Sequence, residues 1–132
     1  MSEDGLVTIA SRHGVKETMD RLEADLRAKG ITLFARIDHG AGAAAVDMLL
    51  RPTEVIVFGN PKAGTPLMQA QQTFGIDLPL KILGWQDDAG KVWLTYNDLS
   101  WLGRRHGLGA AAAGTIQSLT DLLAKLAAAA AA

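Results

Sequence analysis

Asp38-His39 sets a carboxylate beside the one side chain that titrates near neutral pH, where a strand runs into a glycine-containing loop. Adjacent residues on an extended chain point to opposite faces, so the two need not act as an acid–base pair. Two readings stand: both side chains bond nearby backbone, or His39 lines a ligand pocket. Gly59-Asn60-Pro61-Lys62-Ala63-Gly64-Thr65 has the glycine spacing of a phosphate loop, but no lysine follows Gly64. A nucleoside triphosphatase is therefore excluded. Free N–H groups at the start of a helix opened by Thr65, with Lys62 nearby, could still hold a carboxylate or phosphate. Asn60 would bridge loop backbone there, and Pro61 and Pro66 would stiffen the turn.

Other groups read as structural first. Tyr96-Asn97-Asp98 is a strand end and helix cap. Trp85 and Trp93 face each other across a hairpin, directly or diagonally, as core or interface. Arg104-Arg105-His106 is a short basic loop. His13, His39 and His106 lie far apart without acidic neighbours at ligand spacing, so no metal site is expected. No glycine-flanked serine elbow is present, and no serine, histidine and acid stand out as a triad.

These groups must be positioned by about five strands and four helices. Leu6 to Ala10 follows Gly5 as a first strand. Val15, Met19, Leu22 and Leu26 recur at helical spacing, with Glu17/Arg21, Glu23/Arg27 and Asp25/Lys29 four apart, and Gly30 stops the helix. Ile31 to Asp38 alternates as a second strand. The stretch 40–47 is a short alanine-rich helix. Val55 to Phe58 is apolar on both alternating faces, as in a central strand covered on each side, or covered once and paired with another subunit. A helix from Thr65 to Gly75 follows, then an antiparallel hairpin of Leu80 to Gln86 and Lys91 to Asn97 about Asp87-Asp88-Ala89-Gly90. Asp98 to Leu102 is one helical turn. Ile116, Leu119, Leu122, Leu123 and Leu126 stripe a last helix opened by Thr115, whose terminal alanines should fray. The order β-α-β-β-α-β-β-α predicts an α+β single-domain sandwich, a mainly antiparallel (mixed) sheet of about five strands packed with helices. Residues 1–4 read as disordered, 5–108 as the domain, and 109–132 as an alanine-rich helix packing on it or extending from it.

Val55-Ile56-Val57-Phe58-Gly59-Asn60-Pro61, with Ile37-Asp38-His39 upstream and Leu78-Pro79-Leu80-Lys81-Ile82 and Val92-Trp93-Leu94-Thr95-Tyr96 downstream, resembles the prokaryotic domain of unknown function 302 over roughly residues 5–100. The resemblance implies a compact α+β domain whose sheet carries helices, able to dimerise, with no established reaction, substrate or cofactor.

Whole-chain properties bound the function. The 132 residues leave room for one domain, and the absence of cysteine excludes disulfides, thiol catalysis and thiolate metal sites and suits a cytoplasmic address. Thirteen Lys+Arg against fourteen Asp+Glu give a formal charge of −1, so neither nucleic acid nor a membrane is an expected partner. The acidic start lacks a signal-peptide pattern, and no window reaches the length of a membrane span. The expectation is a cytoplasmic module without a cofactor that binds a small, anionic molecule or a partner at the loops after the second and third strands, with Asp38, His39, Asn60 and Lys62 at the rim. The alternatives are a homodimer using the Val55 strand and the tryptophan hairpin as interface, and a hydrolase or isomerase with His39 as base.

Overall fold

A computed structural model describes residues 3–132. Of the 1–4 segment, Met1 and Ser2 lie outside the described residues, and Asp4 Oδ1 accepts a hydrogen bond from the Leu6 N–H at 3.0 Å. Five strands run in the spatial order β1 (Leu6–Ser11), β5 (Val92–Asn97), β4 (Leu80–Gln86), β3 (Thr53–Gly59), β2 (Thr32–Asp38). All four neighbouring pairs are antiparallel, so the sheet is not mixed. Strands β2 to β5 form a meander. Helix α1 (Val15–Ala28) carries the chain beneath the sheet from one edge strand to the other.

One face of the sheet carries the core. Ile56, Phe58, Ile82 and Leu94 are fully buried against Met19, Leu22 and Leu26 of α1 and Leu123 and Leu126 of α5 (Ala113–Ala131). Gly84 is small because Met19 lies over it: a Cβ there would come within 2.6 Å of the Met19 sulfur. On the other face Val55, Val57, Leu83, Trp85 and Trp93 are only half-buried. The Val55 strand is thus covered once. Trp85 stands opposite Trp93 in the hairpin register, with ring centroids 6.4 Å apart.

Three expectations about helices need correction. Helix α3 spans Pro61–Ala70 rather than starting at Thr65, and Phe74 falls in a separate 3₁₀ helix, Gln72–Asp77. Asn60 is the better cap because its side chain accepts the Lys62 N–H at 2.9 Å and proline follows at the first helical position. Pro66 lies inside the helix on its exposed side. Likewise α4 (Leu99–Arg105) does not stop at Leu102 but continues through Arg104 and Arg105, cations that suit the negative end of a helix. Helix α5 starts at Ala113, after a 3₁₀ turn at Ala110–Ala112, and Thr115 caps nothing.

The terminal alanines do not fray. Ala127, Ala130 and Ala131 are buried, the Arg12 N–H donates to Ala131 O at 3.0 Å, and the Arg21 guanidinium donates to Ala129 O and Ala130 O at 2.9 and 3.0 Å. The helix end packs on α1, and Arg21 takes up carbonyls that have no further turn to bond them. Helix α2 (His39–Ala45), by contrast, buries none of its residues.

Candidate functional site

Because β2 and β3 are antiparallel, the loops that follow them leave from opposite ends of the sheet. Asp38 pairs with Glu54 at the start of β3, while Gly59 at its end pairs with Thr32. Six residues of strand, roughly 20 Å, therefore separate Asp38 from the Asn60 loop. Asp38, His39, Asn60 and Lys62 are not brought to one rim. Asp38 caps α2, its Oδ1 accepting the Ala41 N–H at 2.8 Å, and His39 is exposed at the first position of that helix.

The Asn60 end does contain a cavity. A half-open cleft of about 240 Å³ is lined by Gly59, Asn60 and Pro61, by Ala63, Gly64, Thr65 and Met68 of α3, by Gly75, Leu78, Pro79 and Leu80, and by Phe34 and Leu119. No titratable side chain lines it, so it has the chemistry of a binding pocket and not of an acid–base site. The polar side chains among its lining residues are Asn60 and Thr65. Phe34 reaches it because the pairing of β2 with β3 slips between Leu33 and Ala35, leaving Phe34 as an extra residue, 53% exposed at the mouth.

The helix start offers an anion less than the sequence predicts. The Lys62 N–H is held by Asn60 Oδ1, and the Ala63 and Gly64 N–H groups both bond Asn60 O at 2.9 and 3.0 Å. Pro61 has none to give. The cation left for an anion is the exposed ammonium of Lys62, on α3 but outside the cavity lining.

The basic loop lands elsewhere, with Arg105 and His106 engaged and Arg104 exposed. His106 Nε2 lies 2.5 Å from Asp77 Oδ2 and His106 Nδ1 lies 3.0 Å from Thr73 Oγ1, with Arg105 Nη1 at 3.2 Å from Asp77 Oδ1. Sequence reasoning did not find this cluster. Its members stand about thirty positions apart on the 3₁₀ helix and on the end of α4, and nothing in their spacing links them. Tyr96 and Asp98 behave as a strand end and cap: Asp98 Oδ1 accepts the Ser100 N–H at 3.0 Å, and burial, then the Asp98 charge, push the Tyr96 phenol up. Among the described residues no group of three or more His, Asp or Glu is placed to hold a metal.

Residues 7–126 match the family described as Domain of unknown function DUF302. The chain belongs to that family. A DUF302 neighbour of known structure, an uncharacterized conserved protein from Bacillus stearothermophilus, superposes with a TM-score of 0.83 over 96% of this chain and 98% of its own, at 17% identity. That likeness carries the fold alone. In sequence the chain is similar to Fluoride-specific ion channel FluC 1 of Brucella suis biovar 1, strain 1330, 53% identical over 107 residues that cover 81% of this chain and 42% of the relative. Fluoride-specific ion channel FluC 2 of Brucella melitensis biotype 1 is similar at 53% identity, with 40% of its length covered. The DUF302 chain thus spans about two-fifths of these relatives. Among its described residues no helix is long and apolar enough to cross a membrane.

Proposed function

We propose that this DUF302 domain binds a small amphiphilic anion, with the apolar part in the cavity behind α3 and the anionic head at Lys62. The observation that carries the reading is the cavity itself: open at one side, apolar and free of titratable side chains. Its volume sets the ligand class. At about 240 Å³ it is smaller than the ~300–1,000 Å³ typical of drug-sized ligands, and larger than the ~150 Å³ that admits benzene. A short acyl chain fits; a nucleotide does not. Of the four rim residues expected from sequence, Asn60 lines this cavity and Lys62 follows two positions later on α3, outside the lining, while Asp38 and His39 would serve a separate contact at the far end of β2. A chain without cysteine that is built this way suits a binding module in the cytoplasm.

Calorimetric titration with hexanoate and with hexanol separates tail from head. Both are expected to bind, hexanoate more tightly, and Lys62→Ala should remove the difference. Ala63→Phe, which fills the cavity, should abolish both. Equal binding of hexanoate by the wild type and the Ala63→Phe protein contradicts the reading.

A second reading is favoured by the half-buried sheet face: a homodimer that covers Val55, Val57, Leu83, Trp85 and Trp93. The two readings use different surfaces and are compatible, because the cavity is lined by α3 and by Leu119 of α5. Whether the channels named among the relatives use this domain at all is a further proposal, that of an accessory domain joined to a channel.

A further inference from the structure

Thr73, His106 and Asp77 form a hydrogen-bonded relay that ends in an exposed hydroxyl. The His106 side chain is 6% exposed and Asp77 13%, whereas Thr73 is open to solvent. The Asp77 carboxylate at Nε2 draws the imidazole proton to that nitrogen, which leaves the Nδ1 lone pair facing Thr73. The Thr73 hydroxyl must then donate to Nδ1. Arg105 Nη1 donates to both carboxylate oxygens of Asp77, at 3.2 and 3.3 Å, and the Phe74 ring packs 5.0 Å from the imidazole. A nucleophile, a base and an orienting carboxylate are thereby in the order that acyl transfer needs. A second feature faces the same way. In a 3₁₀ helix residues three apart eclipse, so Ile76 lies beside Thr73, and it is 74% exposed.

We infer that Thr73 is an acyl-accepting nucleophile and that this face hydrolyses esters of short carboxylic acids, whose apolar part rests on Ile76. Thr73 Oγ1 attacks the ester carbonyl carbon as its proton passes to His106 Nδ1. The bond to the leaving alcohol breaks and that alcohol takes the proton from Nδ1. Water then attacks the acyl-threonine, gives its proton to Nδ1, and releases the carboxylic acid as the proton returns to Thr73. No co-reactant beyond water is needed, and the chemistry uses neither the cavity nor Lys62.

The test is p-nitrophenyl acetate with the intact chain, read by nitrophenolate release and by peptide mass spectrometry. Thr73→Val replaces an exposed side chain with one of similar shape and should lower the rate roughly 100-fold, while Thr73→Ser keeps the hydroxyl and should stay active. A transient acetyl group should map to Thr73. Wild-type release no faster than that of Thr73→Val, loss of activity in Thr73→Ser to the valine level, or acetyl groups found only on lysines would each overturn the assignment.

Discussion

Arg36 reaches from β2 to three carboxylates at once: Glu54 at 2.8 Å, Asp20 at 2.7 Å and Glu23 at 3.2 Å. Burial pulls its pKa down, but the bonds to Glu54, Asp20 and Glu23 outweigh that and the net direction is up. Glu54 is buried, so Arg36→Ala leaves a carboxylate with little water and no partner; destabilisation of about 2 kcal/mol is expected in urea unfolding. Lys16 and then Arg36 hold the Asp20 carboxyl below the usual range, and Arg27 and then Arg36 do the same for Glu23. Depressed folded values mean a contribution present above the ordinary carboxylate range and lost as pH falls through the folded pKa. The wild type should lose stability below about pH 4, and Arg36→Ala should lose less over the same interval. A wild-type curve flat from neutrality to pH 3 would contradict this. The i,i+4 pairs Glu23/Arg27 and Asp25/Lys29 are legible from spacing and form. Glu17/Arg21 does not form: Glu17 turns to His13, and Arg21 goes to the alanine carbonyls of α5, partners over a hundred positions away. A four-residue rule cannot see a competing acceptor brought in by tertiary packing.

Elements with a clear apolar period were legible to within a few residues, as α1, β2 and the hairpin show. Hairpin strand β4 spans Leu80–Gln86, as its place before the Asp87-Asp88-Ala89-Gly90 turn predicts. The misread boundaries lie at helix ends, where local signals are weakest. Thr65-Pro66 reads as the helix start and Asn60-Pro61 as a turn, but the backbone bonds to Asn60 show that the helix begins at the earlier proline. At the C-terminus alanine looks like solvent-facing helix because its propensity is high in either setting. Its burial comes from α1, which no composition records. Removing residues 127–132 strips three buried methyl groups, worth about 2 kcal/mol together, and the Arg12 and Arg21 bonds as well. Truncation should lower the denaturation midpoint clearly. A frayed tail would leave it unchanged.

At the scale of the whole molecule, strand order decided what sequence could not. Once β2 and β3 are antiparallel neighbours, their following loops must part, and a site that looks shared along the chain becomes two places. The cavity is equally invisible from spacing, because Phe34, Met68, Leu78 and Leu119 meet only through the packing of α3 and α5 beside the sheet. The open face has its own consequence. Five strands of about seven residues present a projected area of roughly 450 Å². Doubled in a dimer, that falls below the ~1,200–2,000 Å² of stable interfaces, so a lasting contact would need further apolar surface, which the exposed Val46, Met48, Leu49 and Leu50 after α2 could supply. Sedimentation should therefore show a dimer that Leu49→Asp and Trp85→Lys each weaken; a wild type that is monomeric at every concentration removes that reading. The proposed ligand site is tested most directly by the amide NMR spectrum of the chain titrated with hexanoate. Saturable shifts confined to the amides of Gly59, Asn60, Gly64 and Gly75 are expected, and no shift there at millimolar hexanoate would contradict the account.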